Sequence, residues 1–157
     1  MNTRAFGSGR PVSLFTLGTM RALNSAAQMA EVLDAAAAAG INHLETAPAY
    51  GPAERFLGEA LRQNSRTGSD HWVITSKLLP GLSFEEGQRR LDQILERLGC
   101  PQLDNLAIHG LNREEHLDWA LVGDGSRLLD WAVSSGRVSQ VGFSSLGNIL
   151  LIASSFH

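Results

Sequence analysis

The pattern of apolar and polar residues predicts two kinds of segment that alternate along the chain. Short apolar runs of strand length occupy residues 14–17, 43–47, 72–79, 103–110 and 138–145. Between them, apolar residues recur at three- and four-residue spacing, as in helices that bury one face. Because strands and helices alternate with short connections, the pattern predicts an α/β fold of parallel strands joined by right-handed crossovers.

Local signals mark where several helices begin and end. Ser25 with Gln28, and Ser83 with Glu86, form capping boxes, in which the serine side chain accepts a backbone hydrogen bond. Gly40 is predicted to end the first of these helices, since glycine readily adopts the left-handed conformation of a helix C-terminus.

The remaining helices are predicted from proline, asparagine and glycine positions. Pro52 opens a helix that runs to about residue 63, because proline is favoured in the first helical turn. Asn112 is expected to cap a helix from Arg113, interrupted at residues 123–125 and resumed over 126–135. A last short helical piece is predicted from about Asn148 to the end.

Two architectures fit about five parallel strands: an open doubly wound sheet, or part of a (β/α)8 barrel. A barrel needs eight strands and roughly 200 residues or more, so the 157 residues cannot close one from a single copy. An open-sheet dinucleotide-binding domain is disfavoured, because no G-x-G-x-x-G follows the first strand. Gly7-Ser8-Gly9, within residues 5–13, predicts a small hairpin before the main fold. Residues 1–157 are expected to form one domain.

Composition excludes several classes of function. Apolar residues make up 43% and charged residues 18% of the chain, as in ordinary soluble globular proteins. The formal charge of −3 provides no basic surface for nucleic acid, and no apolar stretch is long enough to span a bilayer. The one cysteine, Cys100, precludes an internal disulfide, is expected to be a small buried side chain and suits a cytoplasmic protein.

Polar side chains at the ends of three successive strands are the candidates for chemistry. Period-2 alternation predicts Glu45, Lys77 and His109 at or near the inner ends of their strands, with Tyr50 just after the first. On its own, the combination of Lys77 and Glu45 is typical of a structural ion pair. His109 on its own is typical of an interior histidine. Together they predict a site. Lys77 would favour the phenolate of Tyr50, which could then protonate a carbonyl oxygen, and His109 could donate a hydrogen bond to that oxygen. His43, one layer deeper, is assigned to the core.

Segments along nearly the whole chain match one known family in order: residues 17–19, 39–51, Glu54 with 57–61, 73–77, 95–99, 104–109 and 136–145. On these segments the chain resembles the aldo-keto reductases. The resemblance implies roughly the first five units of a (β/α)8 barrel. It also implies a function, which is reduction of aldehydes or ketones with NADPH.

By position, the resemblance assigns a role to each candidate. It makes Tyr50 the general acid, Lys77 the residue that tunes it and His109 the residue that orients the carbonyl. Glu45 stands where the family usually has aspartate. On the cofactor side, the resemblance implicates the first-strand loop and the end of the fifth strand, namely Gly18, Thr19, Met20, Ser144 and Ser145.

The resemblance also indicates what this chain lacks. The family's later strands supply much of the contact to the cofactor pyrophosphate and adenosine, so we expect no saturable NADPH binding by this chain alone. Two hypotheses follow. The first is an N-terminal fragment of a reductase, itself weakly active or inactive. The second is a non-catalytic half-barrel that self-associates through its open strand edges as an assembly or binding module.

Overall fold

The computed structural model describes residues 2–21, 24–63 and 69–145. Its strands are β1 (Thr3–Arg4), β2 (Val12–Ser13), β3 (Thr16–Gly18), β4 (His43–Glu45), β5 (Val73–Leu78), β6 (Leu103–His109) and β7 (Val138–Ser144). Its helices are α1 (Ala26–Ala38), α2 (Ala53–Gln63), α3 (Phe84–Leu98), α4 (Glu114–Leu121) and α5 (Asp124–Ser134), with 3₁₀ turns at Pro48–Tyr50 and Ser69–His71. None of the helices in these ranges is long and apolar enough to cross a membrane.

Strand order separates the two predicted architectures. β3, β4, β5, β6 and β7 form one parallel sheet in which the order of the strands in space is their order in the chain. A doubly wound sheet reverses its order at a switch point, whereas a barrel does not. The sheet therefore has the topology of a partial (β/α)8 barrel, as predicted.

The predicted N-terminal hairpin is present and packs against the main sheet. β1 and β2 pair antiparallel. In the connecting loop, the Phe6 ring lies 4.8 Å from the His43 ring, and Gly9 N donates to Gln140 Oε1 at 3.2 Å. The hairpin thus contacts both β4 and β7.

The main core lies between the helices and the outer face of the sheet. Its fully buried side chains include Met29, Leu44, Leu57, Leu91 and Leu106. The inner face instead carries hydrogen-bonded polar groups: His43 Nδ1 lies 2.9 Å from Thr16 Oγ1, and His43 Nε2 lies 2.9 Å from Thr75 Oγ1. Burial lowers the pKa of His43, with Arg4 adding to the effect. Its assignment to the core fits this environment, since both ring nitrogens are already engaged.

Several predicted helix ends are confirmed. The Ser25 hydroxyl accepts from Gln28 N at 3.1 Å, and the Ser83 hydroxyl accepts from Glu86 N at 3.2 Å. Gly40 follows α1 with φ of 79°, a left-handed conformation in which a Cβ would be strained.

Other boundaries differ from the sequence prediction. The first main strand is β3, two residues later than predicted. Asn112 does not cap α4: Arg113 is the capping residue, and the Asn112 side chain instead accepts from Ser145 Oγ at 3.0 Å. α5 begins at Asp124 rather than residue 126, with Gly125 already helical. A Cβ on Gly125 would lie 2.5 Å from Trp119, so the absence of a side chain lets the helix start against that ring. The helix predicted from Asn148 lies outside the described residues.

Candidate active site

The candidate site is at the carboxyl ends of β4, β5 and β6, where parallel α/β folds place their chemistry. β4 ends at Glu45, and Thr46 N then donates to Thr75 O at 2.9 Å, which holds the emerging chain against β5. The 3₁₀ turn at Pro48–Tyr50 follows, and Gly51, with φ of 60°, redirects the chain into α2. This sharp turn fixes Tyr50 at the end of the sheet.

Three of the four predicted catalytic side chains form one hydrogen-bonded cluster. Lys77 Nζ donates to Tyr50 Oη at 3.0 Å, and Tyr50 Oη donates to Glu45 Oε1 at 3.1 Å. Glu45 also forms an ion pair with Lys77, as predicted from the strand pattern. The Lys77 ammonium lies 4.7 Å from the centre of the Tyr50 ring. The cluster therefore places a cation within hydrogen-bond distance of the phenol oxygen.

Lys77 is buried and fully engaged. Only 4% of the residue is exposed, and its third hydrogen bond goes to Thr46 O at 3.0 Å. Burial lowers the pKa of Lys77 to about 8, even though the Glu45 carboxylate beside it favours the ammonium form. Lys77 is the one lysine and Tyr50 the one tyrosine in the sequence. The chain therefore places its single lysine and its single tyrosine in direct contact.

His109, the fourth predicted residue, faces the cluster from β6. Its ring centroid lies 5.9 Å from that of Tyr50, and the two ring planes meet at 89°. Burial lowers the pKa of His109, and the positive charge of Lys77 lowers it further. The neutral imidazole is therefore favoured near pH 7, and a neutral imidazole can donate one hydrogen bond to an oxygen beside Tyr50.

The residues predicted to contact a cofactor lie at or just after the carboxyl ends of the two edge strands, β3 and β7, on either side of this cluster. Gly18 pairs in register with Glu45, and Thr19 N donates to Glu45 O at 3.0 Å. Thr19 Oγ1 is buried and has no hydrogen-bond partner among the described residues, while Met20 is 48% exposed.

At the other edge, the two serines are already bonded within the chain. Gly110 N donates to Ser144 Oγ at 3.2 Å, and Ser145 Oγ donates to Asn112 Oδ1 at 3.0 Å. A ligand that uses either hydroxyl must therefore share or replace an internal bond.

Two contributors to the site were not found from the sequence. Thr46 acts through its backbone carbonyl, for which a side-chain pattern gives no signal. Glu54 is buried against Ser76, the residue next to Lys77. Its position in the first turn of α2 is typical of an exposed helix-end acid, so burial could not be predicted.

Cys100 is removed from this chemistry. It is half-buried at the end of α3, and burial raises the pKa of its thiol to about 11. A thiol in this state is largely protonated at neutral pH and is a poor nucleophile, in agreement with the packing role predicted for it.

Comparison with known proteins identifies the family. The model of the aldo/keto reductase family matches residues 14–152. A 6-dehydroglucose reductase of Novosphingobium aromaticivorans is 31% identical over 155 residues, which cover 88% of this chain and 49% of that protein. The chain thus spans about half the length of this curated relative.

Solved structures agree on the fold. One from Pseudomonas aeruginosa, assigned to the aldo-keto reductases, superposes with a TM-score of 0.80 at 29% identity, covering 91% of this chain and 59% of that one. A holo aldo-keto reductase from Bacillus halodurans superposes with a TM-score of 0.78 at 22% identity, covering 93% of this chain and 51% of that one. At this identity it shows a likeness of fold alone. With the family model matched along most of its length, the chain belongs to the aldo/keto reductase family.

Proposed function

We propose that this chain carries the catalytic residues of a reductase that converts an aldehyde or ketone to an alcohol with a reduced nicotinamide cofactor. One observation carries the proposal. The Tyr50 hydroxyl accepts a hydrogen bond from a buried lysine, and the Tyr50 ring lies perpendicular to the His109 ring at 5.9 Å between centroids. Such an arrangement suits proton donation to an oxygen on which negative charge develops.

In the proposed reaction, Tyr50 is the general acid. Bound NADPH or NADH would supply a hydride to the carbonyl carbon, and Tyr50 would give its proton to the carbonyl oxygen. Since the Tyr50 O–H points to Glu45 Oε1 in this structure, it must turn toward the substrate first. The Lys77 ammonium, 3.0 Å from the same oxygen, would then stabilise the phenolate left behind.

His109 and Glu45 would act on geometry and charge. The neutral His109 imidazole would donate to the carbonyl oxygen and orient it toward Tyr50. Glu45 would keep the buried Lys77 charged, because an ammonium out of water needs a partner.

The nicotinamide would be held by the edge-strand residues. The hydroxyl of Thr19 is buried and has no hydrogen-bond partner within the described part of the chain, so it is a polar group available to a ligand next to Glu45. It is the feature that best fits a cofactor. Gly18 and Met20 would flank it. Ser144 and Ser145 would contribute from the opposite edge, provided their internal bonds rearrange.

The substrate class proposed is a small carbonyl compound. The relative from Novosphingobium aromaticivorans is a 6-dehydroglucose reductase, so carbonyl-bearing sugars belong in the first substrate panel, together with simple aldehydes and ketones.

A second candidate function is assembly without catalysis. It is favoured by two apolar side chains on edge strand β7, Val141 and Phe143, which are 43% and 47% exposed. An exposed strand edge with apolar side chains favours pairing with another chain. Light scattering of the purified protein would detect a dimer, and Phe143→Lys should return it to a monomer.

The experiment for the reductase is NADPH consumption with a carbonyl panel, with NADH alongside. Tyr50→Phe should lower the rate at least about a hundredfold, since it removes the acid and keeps the ring. Phe15→Leu, which changes an exposed aromatic residue, should leave the rate unchanged. Full activity in Tyr50→Phe would overturn the assignment of the acid, whereas no cofactor binding by the unaltered chain is the result expected of an incomplete reductase.

A further inference from the structure

Glu54 is a buried charge that the proposed chemistry does not use. Glu54 is 1% exposed. Among the described residues, and leaving histidine aside, Lys77 is the other buried residue that carries a formal charge. Burying a carboxylate is costly unless it is paired and hydrogen-bonded, and a buried pair often adds little net stability over apolar packing. A role other than stability therefore has to be considered.

Both Glu54 oxygens are engaged, and they join three elements. Oε1 accepts from Ser76 Oγ on β5 at 2.6 Å, and Oε2 accepts from Arg97 Nε on α3 at 2.7 Å. Ser76 is fully buried and Arg97 is about one third exposed, so the cluster lies under α3 on the outer side of the sheet.

The backbone of α2 is packed to make these contacts possible. One helical turn after Glu54, a Cβ on Gly58 would lie 2.1 Å from Arg97 O. α2 and α3 therefore approach backbone to backbone, which brings Glu54 within reach of Arg97. Since this approach leaves no room for a side chain at Gly58, the position of Glu54 is fixed rather than adjustable.

The cluster connects the two segments that carry the candidate acid and the lysine. Ser76 immediately precedes Lys77 on β5 and points to the opposite face of the sheet. Glu54 is four residues after Tyr50, just beyond the turn at Gly51. The Glu54–Ser76 bond thus connects the Tyr50 segment to the Lys77 strand on the outer face of the sheet. The Tyr50–Lys77 bond of 3.0 Å connects them on the inner face.

We propose that Glu54, through Ser76, is a positioning residue that holds Tyr50 against Lys77. This inference rests on the proposed function for its catalytic meaning, but the geometry it concerns can be measured without turnover. Arg97 would supply the opposite charge that a buried carboxylate needs, while Glu54 accepts the serine hydroxyl.

The test uses the single lysine of the full chain. In protein labelled with ¹³C- and ¹⁵N-lysine, one side-chain resonance reports the ionisation of Lys77. Ser76→Ala removes the bond to β5 and leaves the Glu54–Arg97 pair. We expect the Tyr50–Lys77 contact to loosen and water to enter, so that the ionisation constant of Lys77 falls at least about threefold, toward that of an exposed lysine. Glu54→Gln, which retains an acceptor for Ser76, should change it less than Ser76→Ala does.

A purely structural role gives a different result. Leu128→Ala removes a fully buried side chain at Gly87, away from the cluster, and serves as a destabilised control with an unchanged lysine titration. If Ser76→Ala lowers Tm and leaves the titration of Lys77 as in the unaltered chain, the positioning role is overturned. Failure of the proposed reductase function would give a separate result. Tyr50→Phe would then keep full turnover, while Ser76→Ala would still change the titration of Lys77.

Discussion

Removal of the Glu45 charge should lower the pKa of Lys77 strongly. Two unit charges about 4 Å apart interact by about 4 kcal/mol at an effective dielectric constant of about 20. The Glu45 side chain is 26% exposed, and halving the interaction for solvent screening leaves about 2 kcal/mol, or about 1.5 in pKa. In Glu45→Gln, the pKa of Lys77 should therefore fall by about 1.5 relative to that in the unaltered chain.

The assay is the pH titration of the single lysine resonance, with folding checked by circular dichroism at each pH. Glu45→Asp is the matched control, because it keeps the carboxylate and shortens its reach by one methylene. In Glu45→Asp we expect the pKa of Lys77 to fall by less than half as much as in Glu45→Gln. A Lys77 pKa that does not change in Glu45→Gln would show that burial alone sets it, and that the ion pair plays no part in keeping the ammonium charged.

Three further predictions concern stability and reactivity. Because the Lys77 pKa is lowered from 10.5 to about 8, the unfolded chain binds more protons between those pH values. The free energy of unfolding should therefore rise by up to about 3 kcal/mol as pH rises through this window, and this gain should be absent below the window. Urea denaturation of Lys77→Met should show no such gain. Gly58→Ala should lower the free energy of unfolding by about 1–3 kcal/mol, whereas Glu59→Ala, on the exposed face of α2, should be nearly neutral. Equal urea midpoints for the two variants would contradict the close approach of Gly58 to Arg97. Iodoacetamide should label Cys100 about a hundredfold more slowly than free cysteine at pH 8, and labelling at the free rate would show that the thiol is not shielded.

The success of the sequence predictions depended on how local the signals were. Ser25 and Ser83 cap their helices as predicted because a cap depends on residues within one turn. Asn112 carried the same local signal and failed, since Ser145, far along the chain, bonds its side chain instead. The start of α5 was missed for a similar reason: the Trp119 ring decides it by packing on Gly125.

By itself, the sequence determined the parallel α/β alternation, the number of strands and the strand ends at which Glu45, Tyr50, Lys77 and His109 would lie. Periodicity is enough for this, because the face of a residue on a strand follows from its position. Only the tertiary structure decided the 3.0 Å contact between Tyr50 and Lys77, the second bond of Glu45 to Tyr50, and the burial of Glu54 against Ser76 and Arg97. These depend on how closely α2, α3 and β5 pack and on which rotamers the packing allows, and neither is encoded in the spacing of residues along one segment.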